Sequence, residues 1–200
     1  MKNILINNGM DLIKKHYTNL NQAELEEIKY GLEGFYLTFS KILILFIVAY
    51  LINVHVNFIL LIFFFNIIRF FAHGFHARNS IVCFIISFIC FILLPYFIQS
   101  LTINLITKII LITISIISIF LYAPADTHKK PIIKIKKRQK LKIIALITCI
   151  VYSLIVLFST NTIIINCILL ALLLEIITIL PITYKLFNLP YRNYQNYSSK

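Results

Sequence analysis

The chain has no tryptophan, only 7 acidic residues among 200, and charged side chains at just 13 per cent of positions. Soluble domains carry roughly 25 per cent charged residues, so this scarcity, set beside 60 per cent hydrophobic residues, excludes an ordinary soluble domain. No large soluble domain fits beside the membrane part at this length, and one integral membrane domain is expected. An early apolar run is missing as well. The first 34 residues are polar and charged, so no cleavable signal peptide is expected. The four cysteines contain no C-x-x-C pair, which argues against a disulfide framework. Cys90, Cys149 and Cys167 lie inside apolar segments and are expected to act as small hydrophobes. Cys83 differs, because it stands at a segment edge among polar neighbours.

The charge that is present is mostly basic: 19 Lys and Arg against 7 acids give a formal +12. Most of it sits in loops beside apolar runs, where it sets membrane topology and does not call for nucleic acid. The expected fold is an all-α integral membrane protein with about six transmembrane helices and an amphipathic N-terminal helical region. In residues 1–34, Asn21 and Glu24 have capping-box spacing, and Leu25, Ile28 and Leu32 recur at helical spacing. Such helices lie on the membrane or pack under the bundle.

The run from Phe35 to Ile68 is too long for one span of about 20 residues. The island Asn53, His55 and Asn57 splits it into helices near 35–52 and 58–72. Further spans are expected at 81–98, 102–122, 142–158 and 162–184, the last containing Glu175 and Pro181. The predicted domain limits are therefore 1–34 for the interfacial helices, 35–184 for the six-span domain and 185–200 for a cytoplasmic tail. Within the domain, a reactive loop occupies 69–83 and a basic loop 123–142. That basic loop holds Lys129, Lys130, Lys134, Lys136, Lys137, Arg138, Lys140 and Lys142 against Asp126 alone. The positive-inside rule makes it cytoplasmic, and alternation places both termini and residues 69–80 on the same side. The turns at 53–57, 99–101 and 159–161 then fall outside, and they contain no Lys or Arg.

Residues 69–83 gather Arg69, His73, Gly74, His76, Arg78 and Cys83 between apolar runs. Polar groups at membrane depth are costly and mark function when they cluster. A histidine and a cysteine are the base and nucleophile of a thiol protease. One straight helix would put His76 and Cys83 about 10.5 Å apart along its axis, too far to share a proton. A bend at Asn79 or Ser80, either a good N-cap, lets His76 fold back and places Cys83 in a first helical turn. The dipole and free N–H groups of that turn favour a negatively charged sulfur. Gly74 permits a positive φ or close backbone approach, and its neighbourhood offers an oxyanion N–H.

The residues alone leave three readings open. The first is catalysis by His76 and Cys83. The second is a metal or haem site drawing on His73, His76, Cys83 or His128, although His-x-x-His lacks a clear set of further ligands. The third is an interfacial loop whose charges meet lipid head groups, with Arg69 and Arg78 snorkelling. Two further classes also remain: a small transporter or channel component using Glu175 and Lys108 within spans, and a membrane-anchored interaction protein binding through its basic loop.

Four motifs bear on the choice. The run from Arg69 through Ala72, His73, Gly74, His76 and Ala77 to Cys83 resembles the signature of the accessory gene regulator protein B (AgrB) family. The segments Tyr122–Pro131, Leu174–Pro181 and Tyr30–Glu33 match in the same order and spacing, so the resemblance runs from about residue 30 to 185. The first two motifs are quite specific, and the other two are apolar and weak. The resemblance implies a cytoplasm-facing cysteine endopeptidase of Gram-positive bacteria that processes the quorum-sensing propeptide AgrD. On that pattern Cys83 is the nucleophile, His76 the general base, and Arg69 and Gly74 are supporting positions needed for activity. Cleavage would remove a C-terminal tail and leave a thioester on Cys83, which a cysteine of the peptide attacks to give a thiolactone. The implied tail is acidic, and Lys129, Lys130 and the run from Lys134 to Lys142 are expected to help hold it. Asp126, Glu33 and Glu175 are the candidates for a third orienting group, although pairing with a basic residue of another helix is the plainer expectation for Glu175. The expected partners are an AgrD-like propeptide, membrane lipid and a second copy of the chain as a homodimer, with no nucleic acid, cofactor or metal.

Overall fold

The structure is a computed structural model that describes residues 2–17, 21–75, 80–125, 132–192 and 194. The described residues are helical: α1 (Lys2–His16), α2 (Gln22–Leu51), α3 (His55–Ala72), α4 (Ser80–Phe88), α5 (Leu94–Ile98), α6 (Leu105–Tyr122), α7 (Ile135–Phe158), α8 (Thr162–Ile179) and α9 (Pro181–Leu186). A π-helical turn, Ile89–Leu93, joins α4 to α5. Among the described residues six helical stretches are long and apolar enough to cross a membrane, so the chain is a multi-pass membrane protein. It divides into two compact units, residues 1–48 and 49–200.

In the first unit the capping box forms reciprocally. Asn21 N–H donates to Glu24 Oε2 (2.9 Å), and Glu24 N–H donates to Asn21 Oδ1 (2.8 Å). From there α2 continues unbroken to Leu51 and is not split into a surface helix and a span near Phe35.

The second unit is organised around α8, which contacts α3 most extensively and also packs on α6 and α7. Its sequence is apolar on every face, which is the pattern of a helix surrounded by others. Accordingly 67% of its apolar stretch is buried, against no more than 28% for any other span. Between helices in lipid there is no hydrophobic driving force, so close packing and internal hydrogen bonds must hold the bundle. Side-chain bonds to backbone carbonyls tie neighbours together. Tyr152 OH donates to the Phe64 carbonyl (2.9 Å), and Asn166 Nδ2 donates to the carbonyls of Ile98 (2.7 Å) and Leu101 (2.9 Å). Cys149 and Cys167 are buried within this core, as small hydrophobes should be.

The helices differ from the sequence reading in several places: α3 already begins at His55, so that His55 and Asn57 belong to it and not to the turn, and α6 begins only at Leu105. The fifth span begins at Ile135 and not at 142, because Lys and Arg are good helix formers whose long stems reach out to the interface. The third span contains a π turn in which Leu94 N–H bonds back to the Ile89 carbonyl. Pro95, next in the chain, has no N–H to offer the Phe91 carbonyl, and the wider turn absorbs that gap. The last span ends at Ile179. Leu180, preceding Pro181, is pushed to φ −65°, ψ 138°, and α9 is a separate turn beyond it. Pro181 also has no N–H for the Ile177 carbonyl, which Thr183 Oγ1 takes instead (2.6 Å).

Candidate active site

Two helix ends meet where the reactive segment leaves the bundle. The last carbonyls of a helix lack intrahelical donors and must find partners elsewhere. At the end of α3, His73 N–H still bonds the Arg69 carbonyl (2.9 Å), while the Ala72 carbonyl accepts from Ala125 N–H (2.8 Å). His73 and Ala125 form a parallel bridge. At the end of α8, the Thr178 carbonyl accepts from Phe75 N–H (3.2 Å). The turn 73–75 is thereby stitched on one side to the segment entering the basic loop and on the other to α8.

Arg69 is the centre of this junction. Its guanidinium donates to Thr178 Oγ1 and to the Phe75 carbonyl, and lies 3.5 Å from Glu175 Oε2. The Arg69 side chain is 13% exposed and the Glu175 side chain fully buried, so each charge is tolerable only because the other is there. Placed in the last turn of α3 and against the last turn of α8, the cation also meets the negative ends of two helix dipoles. Thr178 Oγ1 in turn donates to the Glu175 carbonyl (2.9 Å). Phe75 is held further by stacking on Phe187 at 4.8 Å between centroids.

The backbone of the turn is strained. His73 has φ 59° and ψ −149°, a conformation that costs a residue with a side chain on the order of 1–3 kcal/mol. Gly74 follows at φ 134°. A Cβ at Gly74 would lie 2.6 Å from Thr178 Oγ1 and 3.1 Å from Arg69 Cζ, so the absence of a side chain is what lets the guanidinium seat against the backbone. Arg69 and Gly74, expected as supporting positions, are therefore in direct apposition.

Cys83 stands in the first turn of α4, which begins at Ser80. It is half-buried, and its carbonyl accepts from Ser87 Oγ (2.8 Å). His76 is the next residue in the chain after the pinned Phe75, but it lies outside the described residues, as do Arg78 and Asn79. Asp126, His128, Lys129 and Lys130 lie outside them too.

Of the third-group candidates, Glu175 is committed to Arg69, the ion pair with a basic residue of another helix that was its plainer expectation. Thr178 was missed. Its signal was present, since Glu175 and Thr178 are three residues apart and share a helix face.

The fold and this pinned turn define a multi-pass membrane protein with a polar site built where helix ends meet, and with Cys83 in the first turn of the next span. The family model for accessory gene regulator B matches residues 6–179. A putative AgrB-like protein of Clostridium acetobutylicum is 35% identical over 185 residues, covering 92% of this chain and 88% of that protein. Accessory gene regulator protein B of Staphylococcus aureus is 34% identical over 168 residues, 83% of this chain and 88% of its own length. The chain belongs to the AgrB family. No solved structure matches it.

Proposed function

We propose that this protein is a membrane cysteine endopeptidase that cuts the C-terminal tail from an AgrD-like signalling propeptide and promotes closure of a thiolactone ring. The observation that carries the reading is family membership over most of the chain, and Arg69, Gly74, His76 and Cys83 are the positions at which the sequence resembles the family's signature. In this mechanism the Cys83 thiolate attacks the scissile carbonyl, the C–N bond breaks, and His76 gives a proton to the departing amine. The remaining peptide is left as a thioester on Cys83. A cysteine within the peptide attacks that carbonyl and gives its proton to His76, and the bond to Cys83 breaks to restore the thiolate. One thioester replaces another, so the exchange needs little free energy. Water is the competing nucleophile, and a site at the membrane edge limits its access.

Lys129 and Lys130 hold the acidic tail in this reading, by charge attraction that speeds encounter and weakens with salt. The basic loop, the reactive segment and both termini face the cytoplasm, where an unprocessed propeptide is made. Incubating a candidate propeptide with the purified protein in nanodiscs and weighing the products tests the reading. The expected products are a shortened, cyclised peptide and a free tail, and an unchanged propeptide overturns it.

Orientation has its own test. Ser100→Cys and Thr160→Cys, in a background without the native cysteines, should react with a membrane-impermeant thiol reagent applied to intact cells. Lys136→Cys should react only after lysis. A cysteine at Thr160 leaves the cap of α8 intact, since Asn161 accepts there from the N–H groups of Ile163 and Ile164. The reverse labelling pattern would put the reactive segment outside the cell.

A further inference from the structure

A cavity of about 450 Å³ opens beside the end of α6 and the start of α7. Its walls include Tyr122, Arg138, Lys142, Tyr191, Arg192 and Tyr194, and no acidic residue lines it among the described residues. The cations are set in place by aromatic faces. Arg138 lies 3.7 Å from the Tyr194 ring centre, Lys142 Nζ 4.4 Å from that of Phe120, and Arg192 5.4 Å from that of Tyr191. Arg138 also donates to the Pro124 carbonyl (3.1 Å). Lys142 and Arg192, held around a small cavity whose wall Arg138 helps to build, make a receptor for an anion.

We propose that this cavity binds the headgroup of an anionic phospholipid. Its location and flank favour that ligand. The apolar stretch of α6 ends at Tyr122 and the basic start of α7 gives way to apolar residues after Lys142, so the cavity lies at the level where a span meets headgroups. Tyrosines concentrate at that level, with the ring in apolar surroundings and the hydroxyl in water. Phe120, Leu121 and Ile135 are exposed beside the opening and offer a surface for the acyl chains. The volume suits a small polar group and not a folded partner. Basic pockets between spans bind acidic headgroups through the same combination of charge and apolar flank. The site is separate from the Arg69 junction, although Pro124 and Ala125 run from its wall to His73.

The test uses the full chain in neutral detergent, titrated with short-chain phosphatidylglycerol and read by native mass spectrometry. One tightly held phosphatidylglycerol per chain is expected, with phosphatidylcholine not retained. Lys142→Gln with Arg192→Gln should weaken binding by roughly 30-fold, the effect of two charges at a membrane surface. Lys142→Arg with Arg192→Lys should bind like the wild type. Should the neutral pair fail to fold, acetylation of the wild type decides: phosphatidylglycerol must protect Lys142 and phosphatidylcholine must not. Undiminished binding by the folded neutral pair, equal retention of phosphatidylcholine, or unprotected Lys142 overturns the proposal. Glycerol phosphate matching phosphatidylglycerol would make the ligand a free phosphate compound, and the lipid assignment would fall. So would it if the neutral pair lost binding of a Glu-rich peptide in phosphatidylcholine nanodiscs while phosphatidylglycerol retention stayed intact.

Discussion

Cys83→Ala should leave propeptide cleavage undetectable while the protein still extracts, elutes and shows helical circular dichroism like the wild type. Cys83 is half-buried on α4, and removing one sulfur there opens little space in the core. Its proposed role is chemical, so the loss should appear in turnover and not in folding. Alanine at Cys149 or Cys167 should do the opposite. Both are buried, so each change costs on the order of 1 kcal/mol of stability through the vacated volume, with cleavage retained. Cys90→Ala should be mild in both respects. His76→Ala should slow cleavage by at least about 10²-fold, the usual worth of a general base. It should also slow alkylation of Cys83 by iodoacetamide near neutral pH, because the partner that takes the thiol proton is gone. Full cleavage by the Cys83→Ala protein would remove the nucleophile assignment. Unchanged alkylation and turnover in His76→Ala would make that histidine structural.

Span number, helical class and the Asn21–Glu24 cap were legible because each is a local property: length, hydropathy, or residues three apart. The core position of α8 was also within reach, since its apolar residues leave no polar face, yet its hydropathy resembles that of the other spans. Boundaries were harder. At Ile135 the change from basic to apolar residues marks where the membrane begins and not where the helix begins. At Leu180 a proline alone was ambiguous, because Pro95 sits inside a span whose helix widens around it, whereas Pro181 ends one. The least legible part was the junction at Gly74. A glycine in sequence announces freedom of backbone but not its use. Here the use is to let Arg69 reach Thr178, a contact across 109 positions that only the packing of α3 on α8 creates.

Glu175→Leu alone should destabilise the protein by about 3–5 kcal/mol, read as earlier loss of helical circular dichroism on heating in detergent. It would leave the Arg69 guanidinium, 13% exposed, without its carboxylate at the edge of an apolar bundle. The double change Arg69→Met with Glu175→Leu should recover most of that loss, because apolar side chains of similar volume replace a buried ion pair at little cost. Cleavage should not recover with it. Arg69 also donates to the Phe75 carbonyl and the Thr178 hydroxyl, and methionine makes neither bond. Without them only the backbone bonds to Ala125 and Thr178 and the Phe187 stacking hold the strained turn, which is freer to relax toward an ordinary conformation just before His76. Gly74→Ala should reach a similar end from the other side, since its Cβ would displace the guanidinium from Thr178 while leaving both charges in place. Arg69→Lys is the graded case: one ammonium keeps the charge opposite Glu175 but cannot fork to the carbonyl and the hydroxyl together. It should retain most of the stability and a small fraction of the turnover. A double variant that regains both stability and cleavage would show the pair to be structural only, and Arg69 would lose its role in positioning the turn.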